Sequence, residues 1–362
     1  MSGSIIKEVT LTPQCFEAIF IFSKPKQRYA NFRSMLQNLI CSGLIVAPNI
    51  YWLNEVYKLV EQYDQEDKDD FINILNLLES RVVNYPNKKK FLSEDEYLNQ
   101  IDKLNSIRAF DLISGTVNAE LSKTPENIPD EKFINKGAII DKQTIQFMTK
   151  MLAPILSYAE IVKVIDPYFN FFPLFSKSST EERYIRPMEV ICEYLASRHG
   201  INREAEIEIH TSVKAVSKSE GPGKKVLKWK YLENWKDQIA YFENKYSHKI
   251  TVYIWEEKKE EDEWHDRYID TTQCFISMGK GSDESSWTDS TWTIAPKEEG
   301  EKVSNKFRRS SIYTLIATVD RDKGLQKEYE NLSKVRSVKI YDENEKIYIP
   351  QRKGLRIVNK KN

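Results

Sequence analysis

Four short segments carry the side chains whose types and spacing can do chemistry: Val164-Ile165-Asp166-Pro167-Tyr168, Ile207-Glu208-Ile209-His210, Trp264-His265-Asp266-Arg267-Tyr268 and Ile276-Ser277-Met278-Gly279-Lys280-Gly281. Histidine changes protonation near neutral pH and serves as nucleophile, base or acid. His265 is followed two residues later by Arg267, so on a strand the two share one face and Asp266 takes the other. Gly279 and Gly281 can present backbone N–H groups to a phosphate, with Lys280 adding charge, or can simply turn the chain. Asp166-Pro167-Tyr168 fits the crevice at a strand end where open α/β sheets bind ligands, and equally a tight strand exit.

The elements that must position these segments follow from hydrophobic periodicity. Residues 5–11 read as a strand, and Thr12-Pro13 as an N-cap with proline at the first helical position. Phe32, Met35, Leu36, Leu39 and Ile40 recur at three and four, giving an amphipathic helix that Gly43 ends, followed by a strand at Ile45-Val46-Ala47. Helices from Trp52 to Tyr63 and from Asp69 to Arg81 repeat the pattern, and Ser93 to Glu96 has the spacing of a capping box. Residues 1–121 are therefore expected to form an α-rich α/β domain. Proline and polar residues concentrate in 122–130, which sets an interdomain linker at 122–137.

The second domain, residues 138–330, opens with a helix from Asp141 to Ser157. Strands at 160–165, 205–210 and 250–255 then alternate with helices at 181–198 and 231–246. That alternation indicates βαβ crossovers and an α/β fold with helices on the faces of a sheet. A charge run at 256–263 reads as a solvated connection, and two further strands at 264–269 and 274–278 flank a turn at 271–273. Residues 331–362 form a C-terminal extension with a basic tail.

Composition narrows the function classes. Lys plus Arg number 54 and Asp plus Glu 54, so any polyanion must be met by a local patch. One such patch is Lys218, Lys224, Lys225, Lys228 and Lys230 around Trp229, a pattern that fits a nucleic-acid backbone with a stacked base or, equally, a solvated loop around Gly221-Pro222-Gly223. The aromatic stretch from Tyr168 to Phe175 reads as a lid or as packing over the sheet. Four scattered cysteines without a CxxC, and four histidines without an HExxH, imply a reducing cytoplasm, no dedicated metal site and no cofactor. The N-terminal residues lack the form of a signal peptide, and no membrane span is expected.

In their order and spacing the four segments resemble the phospholipase D-like superfamily, in particular its single-copy branch typified by the C-terminal domain of MIT-domain-containing proteins, over about residues 138–330. The resemblance implies a phospholipase D-like sheet flanked by helices. Full members of the superfamily pair two H-x-K-x4-D motifs, one histidine attacking a phosphodiester and the other protonating the leaving group. Here the matching positions are His265, Arg267 in place of lysine, and Thr272 in place of aspartate. With one motif, a complete site needs a homodimer, or His210 as an internal substitute. What the resemblance implies for function is a module with a degenerate site, a component of bacterial antiviral defence or of a mobile element, that binds nucleic acid or a protein partner from the same operon. The alternatives are a dimeric, metal-independent phosphodiesterase or nuclease using His265, and recognition of phosphoinositide-like head groups at a membrane surface.

Overall fold

The structure, a computed structural model, describes residues 7–16, 30–62, 65–85, 87–107, 110–116, 122–125, 139–171, 184–197, 204–219, 225–257, 264–271, 274–279, 281, 285–295, 297–308, 312–332, 334–335, 337–341, 347–351 and 354–358. The chain divides into two compact units, Met1–Ile139 and Ile140–Asn362.

The first unit runs β1 (Lys7–Leu11), α1 (Ala30–Ser42), β2 (Gly43–Ala47), α2 (Trp52–Val60), α3 (Gln65–Leu78), a 3-10 turn (Glu79–Arg81), β3 (Val82–Asn84), α4 (Glu94–Ile107) and β4 (Leu112–Ser114). Its four strands pair in the order β3-β2-β1-β4, all parallel. Strands buried on both faces read as unbroken apolar runs, and Gly43-Leu44-Ile45-Val46-Ala47 is wholly buried. Phe16, Phe32 and Trp52 meet edge to face in the core. The Ser93 hydroxyl accepts from Glu96 N, and the Glu96 carboxylate reaches back to Leu92 N at 2.7 Å, so the expected capping box starts α4 in slightly shifted form. Ser122 and Thr124 are buried and Lys123 N donates to Ile113 O at 2.9 Å, because β4 recruits this segment to satisfy its edge.

The second unit contains β5 (Ile139–Gln143, opening at the boundary), α5 (Ile145–Leu156), β6 (Ile161–Ile165), α6 (Ile185–Tyr194), β7 (Glu206–Ser212), β8 (Lys218–Ser219), β9 (Lys225–Lys228), α7 (Trp229–Glu233), α8 (Trp235–Tyr246) and β10 (Lys249–Glu257). It continues through β11 (Arg267–Thr271), β12 (Phe275–Met278), β13 (Ser285–Ala295), α9 (Lys297–Asn305), β14 (Tyr313–Asp320), β15 (Gly324–Lys327), α10 (Tyr329–Leu332), β16 (Lys339–Tyr341), β17 (Ile347–Gln351) and β18 (Gly354–Val358). Nine strands make one mixed sheet in the order β15-β14-β10-β7-β6-β11-β12-β13-β5, with β6, β7 and β10 parallel as the βαβ reading requires. Antiparallel strands flank that parallel centre on both sides. The fold is thus mixed α/β, a large sheet flanked by helices in one unit and a small parallel sheet in the other.

Alternation sets the two faces of the large sheet. Val162, Val164, Ile207, Ile209, Ile250, Val252 and Ile254 are buried on one, and α8 packs against β10 and β14. Lys163, Ile165, Glu208, His210, Tyr253 and Trp255 fall on the other, where a second core gathers Trp255, Trp264, Tyr268, Phe275 and Tyr313.

Three expectations change here. Residues 139–143 are strand β5 and not the start of a helix; the helix begins at Ile145, where the Thr144 hydroxyl caps Phe147 N at 3.2 Å. His265 and Asp266 precede β11 instead of lying on it, since Trp264 is buried and its indole N–H donates to Asp266 O at 3.0 Å, closing a local turn. The C-terminal extension is also built into the second unit: β16 pairs in parallel with β9, completing a five-stranded sheet ordered β18-β17-β16-β9-β8. Among the described residues no helix is long and apolar enough to cross a membrane.

Candidate functional site

Register alone brings Asp166 and Arg267 together. β11 runs antiparallel to β6 with Tyr268 opposite Ile165, so the next position outward sets Arg267 across from Asp166. Asp166 continues the sheet for one more residue, its N–H donating to His210 O at 3.0 Å, and its side chain is fully buried. One carboxylate oxygen accepts from Tyr168 N at 2.9 Å and lies 3.8 Å from Arg267 Nε. That Asx turn redirects the chain after Pro167 and brings the Tyr168 ring under the guanidinium, 4.7 Å from its carbon to the ring centroid.

The guanidinium is held from a third side. Arg267 Nη1 donates to Gly279 O at 3.0 Å. Gly281, at φ +98°, passes so close that a Cβ there would lie 2.6 Å from Arg267 Cδ and 2.8 Å from Asp166 Oδ2, which is why this position needs glycine. Gln143 fixes that loop from β5 by donating to Gly281 O. His265 completes the cluster: it is exposed, and its Nδ1 lies 3.0 Å from the Tyr168 hydroxyl. If Nδ1 donates to that oxygen, Nε2 on the opposite side of the ring carries a lone pair, the tautomer a nucleophile requires.

Five of the residues expected at a phosphate or catalytic site therefore converge: Asp166, Tyr168, His265, Arg267 and Gly281. Their roles are redistributed. Asp166 lies buried beneath Arg267, its Oδ1 3.8 Å from Arg267 Nε, where it orients the guanidinium. Gly279 does not offer its N–H to a ligand, because that group donates to Thr291 O at 2.8 Å, and its carbonyl serves Arg267. Gln143 was not legible as a site residue, since nothing in its local sequence links it to a loop 138 positions away.

His210 is not part of this cluster. Its neighbour across the ladder is Ile165, so it faces the opposite side of the sheet from Asp166. There it stacks on Tyr253 and Trp255, with ring centroids at 5.0 and 5.9 Å, and Phe307 tilts across it. Trp255 Nε1–H donates to His210 Nδ1 at 3.2 Å, which occupies that lone pair and puts the proton of the neutral ring on Nε2. Burial pushes its pKa below the ordinary histidine value, with Glu208 opposing. With its Nδ1 accepting from an indole and its cation disfavoured by burial, His210 is set apart from the exposed cluster around His265.

The basic segment is divided. Trp229 is buried, with Lys327 over its ring at 5.3 Å, so it offers no face to a base; it is a core residue of α7. Lys225 and Lys230 are exposed, Lys225 reaching Lys214 O at 3.3 Å, while Lys228 is half-buried. Lys224, Lys280 and Thr272 lie outside the described residues, as does the side chain of Lys218. Compared with known proteins, the chain matches no family model and no curated sequence.

Proposed function

We propose that the second unit is a phospholipase D-like module of degenerate type that binds a phosphate-bearing ligand, nucleic acid foremost, at the strand-end cluster of His265, Arg267 and Tyr168. The observation carrying this reading is the convergence of an exposed imidazole with a guanidinium that is already oriented by a buried carboxylate, a carbonyl and a ring. A cation held in place loses less entropy on gripping a phosphate than a free side chain does. Lys225 and Lys230 are exposed cations of the same unit, open to a nucleic-acid backbone. A role in bacterial defence or a mobile element, with a protein partner from the same operon, belongs to this reading as context.

Turnover is the second reading, favoured by the exposure of His265. His265 Nε2 would attack phosphorus, forming an N–P bond as the P–O bond to the leaving group breaks, and water would later hydrolyse the phosphohistidine. The leaving oxygen needs a proton. Among the described residues no second histidine stands beside His265, His210 and His248 being buried elsewhere, so the acid would come from a second copy of the chain.

The test is cleavage and binding of labelled single- and double-stranded DNA and RNA, with and without EDTA, by wild type and His265→Ala at matched oligomeric state. Binding without cleavage, weakened by Arg267→Ala and by added salt, is the expected result. Metal-independent cleavage lost in His265→Ala would establish the catalytic reading. Absence of both binding and cleavage would reject the proposal.

A further inference from the structure

The face of the large sheet opposite the His265 cluster carries a cleft of ≈ 460 Å³ between β6, β7, β10 and the segment after α9. Its volume is that of a small-molecule site. The lining holds Lys163 and Arg308 against Glu208 and Glu328, two formal charges of each sign. Lys163 Nζ lies 3.4 Å from Glu208 Oε2, and His210 Nε2 lies 3.6 Å from the same oxygen.

His210 Nε2, which carries the ring proton because Trp255 donates to Nδ1, is buried beside that carboxylate, so Glu208 stands between Lys163 and His210 on the cleft wall. Tyr253, Trp255 and Phe307 contribute ring surface to the same walls. A phosphate or other polyanion would face two carboxylates, and a purely apolar ligand would strand four charges. What matches balanced charges, polar groups that both donate and accept, and aromatic walls is a neutral ring bearing several hydroxyls.

We propose that this cleft is a second ligand site, distinct from the phosphate cluster, and that it takes a polyhydroxylated sugar ring, either a free pentose or hexose or the sugar of a nucleoside. Glu208 accepts hydrogen bonds from hydroxyls, and Lys163 and Arg308 donate to hydroxyl oxygens.

The test is saturation-transfer NMR on the full chain with ribose, glucose, adenosine and uridine in turn, for wild type, Glu208→Gln and Arg308→Ala. Saturation of sugar protons is expected in wild type, with affinity weakened about tenfold or more in both variants and the melting temperature unchanged in Arg308→Ala, as loss of a hydrogen bond to a charged group implies. Arg308 is exposed, so that variant keeps the test valid should Glu208→Gln fail to fold. Response to free sugars as well as nucleosides assigns the ring alone, and response to nucleosides only assigns the nucleoside source; both support the site. No saturation of any probe in wild type, or saturation undiminished in both variants, overturns it.

Discussion

His265 and His210 belong to the same sheet and stand in opposite chemical situations. The first is exposed at a strand end, touches a tyrosine hydroxyl through Nδ1 and has a guanidinium nearby on the same ring. The second is enclosed by Tyr253, Trp255 and Phe307, with one nitrogen accepting from an indole and the other buried. Residue type therefore says little about reactivity; what decides is which ring nitrogen the neighbours leave with a lone pair, and whether water can stabilise the cation.

The largest effect that would break this contrast is Gly281→Ala. A Cβ at φ +98°, within 2.6 Å of Arg267 Cδ and 2.8 Å of Asp166 Oδ2, is expected to cost about 2–4 kcal/mol in urea unfolding, from strain and overpacking together. A cost under about 0.5 kcal/mol, the range of ordinary surface changes, would mean that the loop does not clamp Arg267.

A smaller effect sharpens the other side. His210→Phe keeps a ring in the stack but leaves Trp255 Nε1–H without its acceptor, for an expected loss of about 1–2 kcal/mol at neutral pH. Its pH dependence is more telling. Burial holds His210 in the folded chain below its ordinary 6.5, so the unfolded chain takes up the proton first and native stability falls as pH drops below that value. The slope reaches at most about 1.4 kcal/mol per pH unit, continues until the folded value is reached, and is absent from His210→Phe. His248, also lowered by burial, is present in both proteins and cancels in the difference. Unfolding midpoints of the two proteins compared at neutral and mildly acid pH check this; equal acid sensitivity would contradict the buried, neutral assignment.

The smallest expected effect is Tyr168→Phe. The ring under Arg267 stays and only the hydroxyl facing His265 goes, so stability should change by less than about 0.5 kcal/mol. The His265 ring should lose its preferred tautomer, read from the nitrogen-15 shifts of the imidazole.

The legible parts of this molecule were those fixed by local periodicity. The β-branched alternation of Val162 and Val164, and of Ile207 and Ile209, marks central strands wherever it occurs, and the strand-end positions of Asp166 and Tyr168 followed from it. That Arg267 meets Asp166 depends on strand register, which no short segment encodes. The sequence ranked His265 above His210 by motif, but the enclosure of His210 could not be read from it, because its partner Trp255 is 45 positions away on another strand. Lys163 and Glu208 carry no signal of a cleft in their own strands, and only the return of the chain at Ser304 and Phe307 encloses that face. Trp229 looked like a stacking residue among lysines; the same alternation of aromatic and charged positions equally starts a helix with one buried face.

The central claim is that His265, and not His210, faces a phosphate-bearing ligand. The most direct measurement is titration of the full chain, labelled with nitrogen-15 in its histidine rings, with a single-stranded oligonucleotide. The account expects the His265 ring signals to move while those of His210 remain in place with Nδ1 unprotonated. Movement confined to His210, or no movement of either ring under conditions where the oligonucleotide binds, would contradict it.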